Sequence, residues 1–362
     1  MFDLKKLLKT PFLLIIIPTI ISFYGFLAIY SSSSGCYKPL VQKQVIIYAI
    51  SFFLAICISI MDFKVIFRSS YKIYLFSFLL LILTEIWGKK FMGAKRWIYI
   101  YNMQIQPSEL MKLSLILALA RYFDSKPEFD FTVRNLCFPI LIILFPVILI
   151  LKQPDLGTAI IILVIGVIIF LSLGVKIKYF AFLLIIMVIS FPFIWNKLYS
   201  HQKDRIIVFL QPQKDILGKG YHIYQSKIAI GSGGFWGKGF MKGTQSQLKF
   251  LPENKTDFIF ALISEELGFI GIVFLMILYC MLIWIMMNFI KDIYSVYGKI
   301  IVIGVSSMIF SYVFINASMN IGILPVTGIP LPFVSYGGTS MISLMLGIGL
   351  VMNVKLNKKI LI

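Results

Sequence analysis

The stretch FLPENKTDFIFALISEELG, residues 250–268, sets three carboxylates, Asp257, Glu265 and Glu266, at the start of a hydrophobic run that continues to about Ile290. A charge at membrane depth costs roughly 2.5–3.5 kcal/mol on the insertion scale, so such groups normally face a cavity or pathway. A second cluster lies in QPSELMK (106–112), where Pro107 suits a first helical turn and Glu109 and Lys112 share a face at i and i+3. A structural ion pair explains those two as simply as a site does, and both readings stay open. Arg96 and Trp97 in GAKRW (93–97), Asp155 in KQPDLGTA (152–159) and Arg205 complete the set, although Trp97 alone would read as an interfacial anchor. A carboxylate among cations at the mouth of a membrane span suits proton abstraction beside an anionic group.

The elements that position these residues follow from composition. The chain has 362 residues, 59% of them hydrophobic, and a mean hydropathy of +0.93. Apolar runs near 20 residues match the hydrocarbon thickness of a bilayer, which defines a multi-pass membrane protein. Runs such as IIILVIGVIIFLSL (160–173) do not alternate with period two, which excludes a β-barrel. The expected fold is all-α and polytopic, a single integral membrane domain over 1–362. Ten spans are predicted, at about 11–30, 44–62, 72–88, 107–122, 137–152, 157–174, 178–196, 257–289, 299–321 and 338–354. The eighth is long enough to tilt or to project, and no broken helix or inverted repeat is evident.

Ten spans place both termini on one side. With the N-terminus inside, inner segments carry sixteen Lys and Arg against seven in the short outer loops, so both termini are expected in the cytoplasm. The long segment 197–256 then becomes a large extracytoplasmic loop between helices 7 and 8. It holds ten Lys and Arg against Asp204, Asp215 and Glu253, a net +7. That excess suits anionic head groups or a phosphorylated lipid, and codon bias toward Lys explains it equally well. Within the loop, YHIYQSKIAI (221–230) reads as a short amphipathic helix on the outer leaflet. GSGGFWGKG (231–239) fails the phosphate-loop pattern and reads as a turn.

Cys36, Cys57, Cys137 and Cys280 form no disulfide framework, and SSGC at 33–36 follows what reads as a permanent helix. His201 and His222 lack partners at metal-ligand spacing, so the metal question stays open. Glu109, Lys112, Asp155, Arg205, Asp257 and Glu265 come from distant parts of the chain yet all map to the outer third. An outward-facing polar cavity, reached from the lipid, is the expectation.

At GAKRW, IQPSELMK, QPDLGT, GYHIYQSKIAIGSGG, KGTQSQLKFLPENKTDFIFALISEELG and GILPVTGIPLPFVSYGG the chain resembles the SEDS family, which covers shape, elongation, division and sporulation proteins. The motifs stand in family order over essentially the whole chain, and GTQSQL and QPDLGT look more like elongation than division members. The resemblance implies ten helices with a large outer loop between helices 7 and 8. It implies a peptidoglycan glycosyltransferase acting on lipid II in the bacterial cytoplasmic membrane. The implied partners are a class B penicillin-binding transpeptidase and other elongation-complex membrane proteins, with no nucleic acid.

Asp257 matches the family's proposed catalytic aspartate, while Lys255 stands where a histidine is usual. An α-linked donor giving a β-linked product implies inversion, and pyrophosphate is a better leaving group than a sugar hydroxyl. In this reading Asp257 is the general base, and Arg96, Lys112 and Arg205 clamp the pyrophosphate. Glu109 orients Lys112, Trp97 packs on lipid or sugar, Asp155 joins the substrate site, and Glu265 shapes the cavity floor. Glu266 points to the other side and pairs within the bundle. No cofactor is assigned, and a divalent cation, Mg or Mn, is compatible with such a site. A lipid II flippase and a non-catalytic scaffold are the competing classes.

Overall fold

The computed structural model describes residues 11–91, 94–100, 103–126, 133–180, 203, 219–248, 250–251 and 253–358. Helices dominate. Apolar side chains with few helix breakers give α1 (Leu13–Ser32), α2 (Leu40–Ile60), α3 (Phe63–Trp87), α4 (Pro107–Asp124), α5 (Val133–Lys152) and α6 (Leu156–Ser172). After residue 218 come α7 (Lys219–Gly233), the short α8 (Thr244–Gln247), α9 (Ile259–Phe289), α10 (Val296–Asn320) and α11 (Gly338–Leu356). Seven of the described helices, α1, α2, α3, α5, α9, α10 and α11, are long and apolar enough to cross a membrane. Of the predicted span 178–196, residues 178–180 are helical and 181–196 lie outside the described residues.

The centre of the bundle is α4, which packs against α3, α5, α6, α10 and α11. It is buried almost all round from Pro107 to Phe123, including Glu109 and Lys112. Charges in the first two turns of this helix are tolerated because protein, rather than lipid, surrounds them. Its start follows the sequence: Pro107 occupies the first turn, where a missing N–H costs nothing.

Two expectations are corrected. The chain is mostly helical but not all-α, because β1 (Lys89–Phe91), β2 (Ala94–Ile100) and β3 (Met103–Ile105) form an antiparallel sheet between α3 and α4. Lys89 pairs with Trp97 and Tyr99 with Gln104. The aromatic and β-branched side chains of RWIYI suit a pleated strand.

The second correction is a break in α9 at Gly268, whose φ of 65° and ψ of −164° interrupt the helix. Four backbone groups freed there are matched by the upstream loop. Glu265 O accepts from Lys238 N and Glu266 O from Gly239 N, each at 3.0 Å. Phe269 N donates to Gly234 O at 3.0 Å and Ile270 N to Phe235 O at 3.3 Å. A Cβ on Gly268 would strike Gly237 N, and one on Gly237 would strike Glu266 O, so the interlock needs both glycines. Irregular backbone at membrane depth survives only when packed in protein like this. GSGGFWGKG is therefore a brace as well as a turn. No proline marks the break, and a lone glycine is ordinary in a membrane helix, which left it invisible in the sequence.

Helix α7 turns Ile223, Ser226 and Ala229 inward onto α9 and α10, while Tyr224 and Ile228 stay exposed. Ser226 Oγ donates to Asn320 O at 2.8 Å, tying α7 to the end of α10.

Candidate active site

At the end of the bundle carrying the sheet lies a polar cavity of about 70 Å³. Arg96 and Trp97 reach it from β2, Glu109 from α4, Asp155 from the start of α6, Tyr312 from α10, and Gly328 from the loop before α11. Four of the residues singled out by sequence, Arg96, Trp97, Glu109 and Asp155, thus meet in one place.

Each is held for a local reason. Asp155 caps α6, accepting from Thr158 N at 3.3 Å and Thr158 Oγ1 at 3.0 Å, which satisfies an otherwise orphaned helix N–H. Gln106 Nε2 donates to Asp155 Oδ2 at 3.1 Å, the oxygen that also accepts from Thr158 Oγ1. Arg96 Nε donates to Gln153 O at 3.2 Å, a second guanidinium nitrogen donates to Pro154 O, and Nη1 stands 3.7 Å from Asp155. The guanidinium is thereby fixed by carbonyls just ahead of α6, and about a fifth of its side chain remains exposed.

Lys112 departs from its expected role. Its side chain is 0% exposed and its ammonium donates to Glu109 Oε1 at 2.7 Å and to the Tyr312 hydroxyl. Tyr312 in turn donates to the Glu109 carboxylate, with oxygens at 2.6 and 2.8 Å. The lysine therefore lies beneath the cavity, and its charge is felt there through Glu109 and Tyr312. The ion pair and the site prove to be one arrangement.

Asp257 sits in the turn just before α9, half-buried. Its position is set by backbone. Lys255 O accepts from Tyr336 N at 2.9 Å, and Thr256 O from Ser335 Oγ at 2.6 Å. Asp257 O accepts from Asn316 Nδ2 at 3.1 Å and Asn320 Nδ2 at 3.0 Å. Three successive carbonyls are each captured. Asn316 also donates to Ile329 O at 2.7 Å, joining the Asp257 turn to the cavity wall. A Cβ built on Gly328, which lines the cavity, would lie 3.5 Å from Asp257 Oδ2, so the carboxylate stands next to the cavity wall at that glycine. Gln44 braces the loop from α2, donating to Ser335 O at 3.2 Å and accepting from Gly337 N at 3.3 Å.

Glu265 is not brought to the cavity. It is fully buried among residues 238–246, and Glu266, on the other side as expected, bonds Ser31 Oγ. Arg205 lies outside the described residues. Among the described residues no cluster of three His, Cys, Asp or Glu side chains is placed to hold a metal. The sequence reading missed Tyr312, Asn316 and Asn320. Their spacing of i, i+4 and i+8 draws one polar stripe along an apolar helix, and polar groups in spans bond across helices.

The chain is 40% identical over 292 residues to the peptidoglycan glycosyltransferase MrdB of Escherichia coli, covering 80% of this chain and 78% of that one. It is 38% identical over 344 residues to the protein of that name from Helicobacter pylori, covering 93% and 86%. Stage V sporulation protein E of Bacillus subtilis is 34% identical over 359 residues, covering 94% and 96%. Among solved structures, a chain of a peptidoglycan synthase complex that coordinates polymerization and crosslinking superposes with a TM-score of 0.82 at 28% identity, covering 97% of this chain and 98% of that one. The crystal structure of the rod shape determining protein RodA of Thermus thermophilus gives 0.74 at 26% identity, covering 97% and 98%. The family model for FtsW, RodA and SpoVE, described as cell cycle proteins, matches residues 11–360, and the chain belongs to that family.

Proposed function

We propose that this protein is a peptidoglycan glycosyltransferase that polymerises lipid II into glycan strands during cell elongation. The observation that carries the reading is the turn holding Asp257, fixed by three captured carbonyls, with its carboxylate beside Gly328 in the wall of the cavity that presents Arg96. Asp257 removes the proton of the acceptor sugar hydroxyl as that oxygen attacks the anomeric carbon, with inversion. The anomeric C–O bond breaks, and undecaprenyl pyrophosphate leaves with the electron pair. Arg96 and Arg205 offset the charge that develops on the pyrophosphate, and Trp97 packs against lipid or sugar. The relatives named as glycosyltransferases support this reading.

Among the described residues no group of three His, Cys, Asp or Glu side chains is placed to hold a metal. Glu109 is committed to Lys112 and Tyr312, and Asp155 to Thr158 and Gln106. A Mg or Mn ion enters this reading only as a counter-ion of the pyrophosphate. In this reading ten spans form a single membrane domain in the cytoplasmic membrane, with both termini cytoplasmic and 197–256 outside. The bias of sixteen inner to seven outer Lys and Arg supports that orientation. A class B penicillin-binding transpeptidase is the proposed partner, supported by likeness to the synthase complex.

One observation favours a lipid II flippase, the broken α9, since transporters use broken helices at substrate sites. Here, however, the freed groups are bonded by the chain's own loop rather than left for a substrate. The test reconstitutes the protein with its transpeptidase, lipid II and Mg, comparing wild type with Asp257→Asn. Wild type forms glycan polymer and Asp257→Asn loses turnover by on the order of 10²–10⁴-fold. A folded Asp257→Asn protein that still polymerises would remove the base assignment. Absence of polymer from wild type, with lipid II crossing proteoliposome membranes, would favour the flippase.

A further inference from the structure

Glu265 is 0% exposed, and every partner it has is a donor. Its Oε1 accepts from Lys238 Nζ at 2.8 Å, Thr244 Oγ1 at 3.2 Å and Gln245 N at 2.9 Å. Its Oε2 accepts from Ser246 N at 3.1 Å and Ser246 Oγ at 3.0 Å. A carboxylate offers about four lone-pair sites, so this one has no capacity left for a ligand. Each oxygen also faces a backbone N–H, which cannot reverse its polarity. A glutamine would turn its NH₂ against one of the two, so the position requires a carboxylate.

What these bonds fix is the turn Gly243–Gln247, and that turn reaches the site. Ser246 O accepts from Asn254 Nδ2 at 3.2 Å, and Asn254 is buried three residues ahead of Asp257. The turn carrying Asp257 is therefore held from one side by Asn316, Asn320, Ser335 and Tyr336, and from the other by Asn254. We propose that Glu265 is a positioning residue for Asp257, acting through Ser246 and Asn254 without touching substrate. This rests on the reading of Asp257 as the base.

The test measures kcat, KM for lipid II and thermal midpoint in the complex with the transpeptidase, for Glu265→Gln, Asn254→Ala and the double variant, with Asp257→Asn run alongside. Misplacing a reacting group by about 1 Å costs on the order of 10²-fold. Each single variant is expected to lower kcat toward that size, counted per folded molecule, with KM unchanged. The double variant is expected to fall no further than the worse single, since residues acting through one relay are not additive. A raised KM with kcat kept would make Glu265 a substrate ligand and overturn the proposal. So would multiplicative losses in the double variant, or unchanged kcat per folded molecule with only a lowered midpoint. Should Glu265→Gln not fold, Asn254→Ala, which leaves all five Glu265 bonds in place, decides the relay alone: unchanged kcat overturns it. An active Asp257→Asn protein defeats the base assignment separately, whatever the Glu265 variants show.

Discussion

At the end of the bundle opposite the cavity, Asn353 donates to the carbonyls of Ile58, Ser59 and Met61 at 2.9, 3.1 and 2.7 Å. At the cavity end, Asn316 and Asn320 donate to Asp257 O at 3.1 and 3.0 Å. The chemistry is the same, an amide gathering carbonyls that no helix satisfies. The outcomes differ. Asn353 closes the corner between α2 and α3. The other two asparagines hold a turn whose carboxylate stands beside Gly328 in the wall of the polar cavity. Ion pairs repeat the contrast, since Lys355–Asp292 at 2.6 Å is open to solvent and Lys112–Glu109 at 2.7 Å is sealed. Geometry alone does not tell a site from a fastening; burial and what the held segment carries do.

The sealed pair offers the largest way to break this comparison. Lys112→Met leaves the Glu109 carboxylate buried without its cation, a loss expected at about 3–5 kcal/mol of stability. Unfolding in detergent measures it, and a Glu109→Gln/Lys112→Met protein is expected to regain most of the loss. A single variant as stable as wild type would mean that Tyr312 suffices for Glu109. Next in size is Asn353→Ala, which orphans carbonyls at the far corner and is expected to cost about 1–3 kcal/mol. Turnover per folded molecule should stay at the wild-type level, and a parallel fall in turnover would erase the distinction between the two ends. Smallest is Lys355→Ala, expected to change neither the thermal midpoint nor turnover, because its partner is solvated. A clear drop in midpoint would show the exposed pair to be more than a surface contact.

Much of the fold was legible because apolar length carries it: Leu13–Ser32 and Val296–Asn320 read directly as spans. The sheet was not, since its longest strand has only seven residues and its other two have three each, which gives a weak local signal. The break at Gly268 was not either, because its cause lies thirty residues away in the loop that returns to it. In the site, Arg96, Trp97, Glu109 and Asp155 were found because charge and aromatic character at span ends are visible along a line. Glu265 was misplaced for the opposite reason. Its position on α9 was readable, but the return of residues 243–246 onto its carboxylate is a tertiary fact. Tyr312, Asn316 and Asn320 were readable in principle, as a polar stripe at helical spacing.

The capture of three successive main-chain carbonyls at 255, 256 and 257 has an evolutionary side. Every amino acid supplies the same carbonyl, so the hold at residue 255 is blind to the side chain there. A histidine in place of Lys255 would offer the same carbonyl, so the charge two residues before Asp257 can differ while the aspartate keeps its place. The fastening runs through the peptide backbone, and the side chain at 255 takes no part in that bond.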